Sequence, residues 1–185
     1  KVLSSLGYSI SRDTRDNRFN PSSGYYYSLS EQFAGLGGDV NYVRSIVRSS
    51  YYYKPDYVDL VIGFGGEYGN IEGLDENISK SSRFFLGGRK VRGFDSSGIG
   101  PRSSAISSAS AVGGNNYYAG RFALRSGIGL PSETAIQWTV FTDFGSLWGV
   151  DDTSDNYAIS TDQNSLRMSI GYGFLWETPI GRMMF

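Results

Sequence analysis

The chain of 185 residues contains no cysteine and no histidine. The first absence excludes disulfides and thiol nucleophiles, and the second excludes imidazole general bases. Together they remove most zinc-site designs, so neither a metal nor another cofactor is expected. Charge is scarce and balanced. Charged residues make up 19% of the chain and the net charge is −1, so no global field draws nucleic acid or an anionic surface. No apolar run approaches the roughly 18 residues of a membrane helix. The opening "KVLSSLGYS" has no apolar core of signal-peptide length, so the chain is expected to start mature or to lie inside something larger. Apolar spacing at three and four residues, the mark of an amphipathic helix, is missing throughout. No serine sits in a nucleophile-elbow pattern and no carboxylates pair at a plausible site, so an enzyme is not expected.

What the chain has in excess is glycine, tyrosine and alternation. Glycine fills 25 positions, nearly twice average usage, and aromatics reach 15%. In "YVDLVIGFGGEYG" Val58, Leu60, Ile62, Phe64 and Tyr68 share one parity, and Asp59, Gly63, Gly65 and Glu67 share the other. That is a strand with one apolar face and one polar or glycine face. "NYYAGRFALRSGIGL" repeats it, with Tyr118, Phe122 and Leu124 against Arg121, Ala123 and Arg125. "AIQWTVFTDFGSLW" sets Trp138, Val140 and Phe144 against Thr139, Asp143 and Gly145, and "SLRMSIGYGFLW" sets Ile170, Tyr172 and Phe174 against Ser169, Gly171 and Gly173. "VNYVRSIVRSSYYY" and "GYYYSLSEQFAG" alternate less cleanly. In the latter Glu31 shares the parity of Tyr27 and Phe33, which a bulge or an interface position would explain. An N-terminal strand through Leu6, Tyr8 and Ile10 and a short one at "SRFFLGG" bring the expected count to about eight. The fold class is all-β, an antiparallel meander whose strands exceed the usual five or six residues of soluble sheets.

The connections alternate between short or proline-bearing turns ("RDNRFNPSSG", "KPD", "LPSET") and polar, mostly longer loops. Short turns on one side, long loops on the other and aromatics near strand ends suit an outer-membrane barrel. Soluble sandwiches and lipocalin-like barrels share part of this pattern, but there the outward face is polar. Here the polar parity is rich in glycine, serine and paired arginines, which fits a wet lumen better. The longest loop opens with "GGRKVRGFDSSGIGPR", a basic, glycine-rich stretch around one phenylalanine.

Val91-Arg92-Gly93-Phe94 and the "DSSGIGPR" after it resemble the signature loop of the BamA-type outer-membrane assembly family, which includes the barrels of two-partner secretion. The resemblance runs along the chain in order. "DTRDNRFNPSSGYYYSL" is similar to the family's periplasmic turn, and "RFFLGGRKVRGF" to the strand leading into the loop. "AVGGNNYYAGRFAL", "FTDFGSLW" and "RMSIGYGFLWETPIGRMMF" are similar to the strands that follow.

The resemblance implies the C-terminal half of a sixteen-stranded transmembrane barrel in a bacterial outer membrane, not closed on its own. Upstream POTRA modules and the final strand are expected to be absent from residues 1–185. The implied function is assembly and insertion of outer-membrane β-barrel proteins. Implied partners are the bilayer, unfolded substrates and accessory lipoproteins, with no nucleic acid. A polypeptide secretion pore of the same superfamily is the first alternative, and a small self-contained barrel, adhesin or passive pore, the second. Signature-loop residues carried over are Val91, Arg92, Gly93, Phe94, Gly98, Gly100 and Pro101, within a loop of about residues 87–116. Arg92 is implied to tether the loop to Asp143 on the wall. The preceding strand, "AGRFALRSG", offers no second acid. Phe94 is expected against the glycine-lined inner face, with Asp59, Glu67, Arg121 and Arg125 facing the lumen.

Overall fold

The computed structural model describes residues 4–35, 37, 41–74, 76–103, 110–129, 136–151, 159–160, 164–178 and 181–185. The described residues form strands and loops without a helix. The long strands are β1 (Ser5–Asp13), β2 (Gly24–Ala34), β3 (Tyr42–Tyr53) and β4 (Val61–Gly73), then β7 (Asn116–Gly127), β8 (Ile136–Trp148) and β10 (Arg167–Thr178). Two-residue strands β5 (Arg102–Ser103), β6 (Ser110–Ala111) and β9 (Ile159–Ser160) lie in the loops, and β11 (Gly181–Met184) ends the chain. The sheet is an eight-stranded antiparallel meander in the order β1-β2-β3-β4-β7-β8-β10-β11. Among the described residues β1 and β11 do not pair with each other, so the sheet is open. A twelve-residue strand is about 40 Å long. Tilted by about 40° it rises about 30 Å, enough for the roughly 25 Å apolar band of an outer-membrane barrel.

Alternation fixes the two faces. On one, Leu6, Ile10, Phe64, Tyr68, Val140, Ile170, Tyr172 and Phe174 are exposed, an apolar surface that none of the described residues covers. The register is regular through Glu31, which lies opposite Tyr8 on β1 and Ser45 on β3. No bulge turns it away. It stays on the apolar face and accepts a hydrogen bond from the Tyr8 hydroxyl, which gives an otherwise bare carboxylate a partner.

The other face carries the buried groups. Ile71, Tyr117 and Leu147 from the wall pack with Phe84, Leu86, Val91 and Ile99 from the loop between β4 and β7. The hydrophobic core of this chain is therefore the seam between the sheet and an inward-folded loop. A soluble barrel would instead bury the apolar parity, and that parity is the exposed one.

Three expectations about elements are corrected. "SRFFLGG" is not a wall strand. Phe84 and Leu86 make single bridges to Gly114 and Ile99 inside the loop, because both side chains are buried under it. The strand expected from Tyr57 begins at Val61, since Lys54–Leu60 forms the turn after β3, and it continues to Gly73. A strand does follow the one through Met168, where the final strand is expected to be absent: Gly181–Met184 pairs with β10.

Candidate functional site

The site is the place where the loop meets the wall. Its local shape comes from glycine. Gly87, Gly88, Gly93 and Gly100 have positive φ of 135°, 57°, 85° and 115°, a region costly for residues with a Cβ. At Gly87 an added Cβ would lie 1.9 Å from the Asp95 carbonyl oxygen, so the chain turns back on itself here only without a side chain. Hydrogen bonds from Gly88 N–H to Phe94 O (2.9 Å) and from Gly98 N–H to Asp95 O (2.9 Å) close the two ends of this tight segment. Pro101 is buried and its carbonyl accepts from Val112 N–H at 3.0 Å.

Within this segment Arg92 points at the wall. Its Nε donates to Asp143 Oδ2 at 2.6 Å, its Nη2 to Oδ1 at 2.8 Å, and its backbone N–H to Oδ2 at 3.1 Å. The fork matches the carboxylate in a bidentate pair, which ammonium cannot copy. The guanidinium also stacks on Phe141, 3.2 Å from the ring centroid. Asp143 is fully buried, so its charge needs its partners.

The second partner of this pair comes from the preceding strand as a cation rather than an acid. Arg121 lies directly opposite Asp143 in the β7–β8 register. Its Nε donates to Asp143 Oδ1 at 2.8 Å, and its Nη2 to Arg89 O at 2.9 Å. One buried carboxylate thus joins two guanidiniums, and one of these also holds the loop backbone.

A second tie uses Glu67 on β4. It accepts from Lys90 Nζ at 2.5 Å, from Arg48 Nε at 2.7 Å and from the Tyr117 hydroxyl. Lys90 also sits 4.2 Å from the centroid of the Tyr117 ring, and that ring packs 4.7 Å from Phe84. The wall makes room through small residues. A Cβ on Gly69 would lie 2.2 Å from the Tyr117 ring, and one on Gly145 would meet Leu86 at 3.1 Å and Val91 at 3.2 Å.

The structure thus brings together Arg92, Asp143, Arg121, Glu67 and Val91. Gly93 approaches Ser169 of β10, and Gly100 lies where a side chain would strike Leu147 at 2.4 Å. Arg125 is on the loop-facing side, buried, 5.7 Å from the Tyr52 ring centroid. One expectation is corrected. Asp59 does not stand on a strand, although its carboxylate reaches the inner side of β7, 3.2 Å from where a Cβ on Gly127 would lie. It lies in the β3–β4 turn, paired with Lys54 at 2.7 Å, because its strand starts only at Val61. Phe94 packs against the buried cluster at the seam between loop and wall. Gly145 takes Leu86 and Val91, while Phe94 borders a hollow with Gly98, Leu147, Ser165 and Arg167.

Lys90 and Tyr117 were not candidates from sequence. Tyr117 carries the signal of an aromatic on the parity of Ala119 and Arg121, the polar face of its strand. The Arg121–Asp143 contact was readable only with the β7–β8 register in hand.

Comparison with known proteins places this geometry. The chain is 34% identical over 182 residues to the outer membrane protein assembly factor BamA of Neorickettsia risticii, covering 98% of this chain and 24% of that protein. It is 27% identical over 187 residues to a SAM50-like protein of Schizosaccharomyces pombe, covering 96% of this chain and 38% of the relative. It thus spans about a quarter to two-fifths of these relatives. The crystal structure of BamA from Haemophilus ducreyi lacking POTRA domains 1–3 shares the fold, with a TM-score of 0.85 over 98% of this chain and 37% of that one, at 20% identity. The Omp85 superfamily domain matches residues 1–185, and the chain belongs to that superfamily.

Proposed function

We infer that this chain is the C-terminal part of the barrel wall of an outer-membrane assembly factor, and that the whole protein inserts and folds β-barrel proteins in a bacterial outer membrane. The observation that carries the reading is the clamp of Arg92 on buried Asp143, which holds the loop on the inner face of an open antiparallel sheet. The apolar outer face suits lipid, and the identity to proteins named as assembly factors supports the activity. In this reading a sixteen-stranded barrel is completed by strands beyond these eight, with POTRA modules upstream. The substrates are unfolded outer-membrane proteins, and accessory lipoproteins are partners.

The driving physics is strand pairing. Unpaired backbone groups at a sheet edge are costly in hydrocarbon, so an edge that opens recruits an incoming strand. The loop's part is to brace the wall from inside while its edges exchange partners. Arg92 and Asp143 act as the tether, and Gly93, Gly98, Gly100 and Pro101 shape the segment that carries it. A secretion pore for one exported polypeptide is the second reading, favoured by the same clamp.

Arg92→Ala in the full-length protein separates the two. The expected result is a drop in many folded barrel proteins in the outer membrane. Unchanged barrel levels with loss of a single exported polypeptide would overturn assembly in favour of secretion.

A further inference from the structure

The outward face of β1–β4 carries few charges, and their signs are divided between the two ends of the strands. One parity runs through Leu6, Tyr8, Ile10 and Arg12 on β1. By register it continues with Tyr27 and Tyr25 on β2 and with Tyr51 and Tyr53 on β3. Glu31 and Glu72, the carboxylates of this parity, lie toward the loop ends of β2 and β4. Arg12 is the cation of this parity in these four strands. It is the last residue but one of β1, at the short-turn end. A cation on the lipid face is costly at the bilayer midplane and nearly free at the interface, so this position fits the headgroup level.

Arg12 is exposed and makes no ion pair among the described residues. Its guanidinium leans over β2, 5.7 Å from the centroid of the Tyr25 ring. Tyr27 stands opposite Arg12, and Tyr25 is two residues nearer the turn. The side chain therefore reaches toward the short-turn end and away from the open edge of β1. That is the direction in which a long cationic side chain seeks the polar boundary of a bilayer. The hydroxyls of Tyr25, Tyr27, Tyr51 and Tyr53 have no hydrogen-bond partner among the described residues, and these side chains are 38% to 50% exposed. The Tyr8 hydroxyl, further from the turn, is by contrast taken by Glu31. A guanidinium grips phosphate oxygens as a fork, and phenol hydroxyls donate to the same oxygens.

We propose that Arg12, Tyr25 and Tyr27 bind the phosphodiester of an anionic glycerophospholipid in the leaflet on the short-turn side, with Tyr51 and Tyr53 continuing the row of donors along the bilayer surface. A zwitterionic headgroup brings its own ammonium, and no carboxylate of outward parity in β1–β4 stands at this end to receive it. The neighbouring Asp13 has inward parity and is paired with Arg15 at 2.8 Å. An anionic headgroup leaves its phosphate charge for Arg12. The site rests on the membrane reading above, since a bilayer is what presents that phosphate beside the apolar face.

The test uses the full-length protein in phosphatidylcholine vesicles holding a minor share of phosphatidylglycerol with a photoreactive group on its headgroup. Adducts are mapped to peptides by mass spectrometry. They are expected on the peptides carrying Arg12 and Tyr25–Tyr27. Unlabelled phosphatidylglycerol is expected to compete them away, and phosphatidylethanolamine and soluble glycerol phosphate to leave them. Arg12→Gln is expected to lower them about fivefold, the upper range of one exposed ion pair. Arg12→Lys is expected to restore part, because it keeps the charge and loses the fork. Adducts on the outward faces of β8 and β10 serve as the reference for folded, inserted protein. Unchanged adducts in Arg12→Gln, or adducts on β8 and β10 with none on β1 and β2, overturn the site and leave the membrane reading standing. Equal competition by phosphatidylethanolamine overturns the anionic assignment, and competition by glycerol phosphate overturns the bilayer as the source. Absence of adducts from every outward face sinks the membrane reading together with the site.

Discussion

Asp143 carries more than one partner, and this changes what a charge exchange does. Swapping Arg92→Asp with Asp143→Arg rebuilds one pair but sets the new cation beside Arg121, which already lies 2.8 Å from the Asp143 carboxylate. Recovery of loop protection against protease is therefore expected to be partial, and to rise when Arg121→Gln is added. Purely additive damage across the swap would count against the pairing. Asp143→Asn strips the charged partner from both arginines and is expected to be worse than Arg92→Lys, which keeps charge but loses the planar fork. For Arg92→Ala the expected loss in loop docking is about 1–3 kcal/mol, that of a charge-assisted bond with a partly exposed donor. Away from the lumen, Asp16 sits in the β1–β2 turn. Partial burial pushes its carboxyl up, but hydrogen bonds from the Ser22 hydroxyl and the Ser23 and Ser22 amides outweigh this and hold it down, at about 2. A lowered value means the carboxylate stabilises the folded turn. That contribution is complete above the ordinary aspartate range near 4 and is lost as pH falls through about 2. The Ser22 and Ser23 amide resonances are expected to titrate with that low midpoint, and a midpoint near 4 would contradict it.

The loop behaves as an element of the wall because it is fastened at separate points. Arg92 meets Asp143 on β8, Lys90 meets Glu67 on β4, and Leu86 and Val91 press onto Gly145. Gly145→Ala puts a methyl 2.7 Å from the Tyr118 carbonyl oxygen and against both loop anchors. It is expected to cost about 1–3 kcal/mol, the range for overpacking, and to speed proteolysis of the loop while leaving the strands intact. The strands themselves answer to their outer face. Tyr172 lies mid-way along β10 with 83% of its surface exposed on the apolar side. Tyr172→Arg in the full-length protein is expected to cost about 2–4 kcal/mol in denaturant unfolding from lipid vesicles, as for a cation near the bilayer midplane. A change below about 1 kcal/mol would mean that this face does not meet hydrocarbon.

Among the described residues the sheet is open, with β1 and β11 at its two edges. All nine residues of β1 are exposed, so nothing in the described chain covers that edge. In hydrocarbon the unpaired backbone groups at both edges cost several kcal/mol each. The 185-residue chain alone is therefore expected to give no stable conductance in a planar bilayer, and a steady single-channel current would show closure on eight strands. Alternation in the sequence determined the strands, their faces and the polarity of the lumen side, because side-chain parity in a strand is set by covalent geometry. The signature residues likewise marked the loop and the Arg92–Asp143 pair. Tertiary structure decided the rest. Asp59 shares the parity of Glu67, yet only the turn at Lys54–Leu60 reveals that it is outside the strand. The "SRFFLGG" segment alternates like a strand, but it is buried beneath its own loop. Arg121 reaches Asp143, and Lys90 reaches Glu67, through strand register and loop path. These relate residues 22 and 23 positions apart, which no local pattern in the chain specifies.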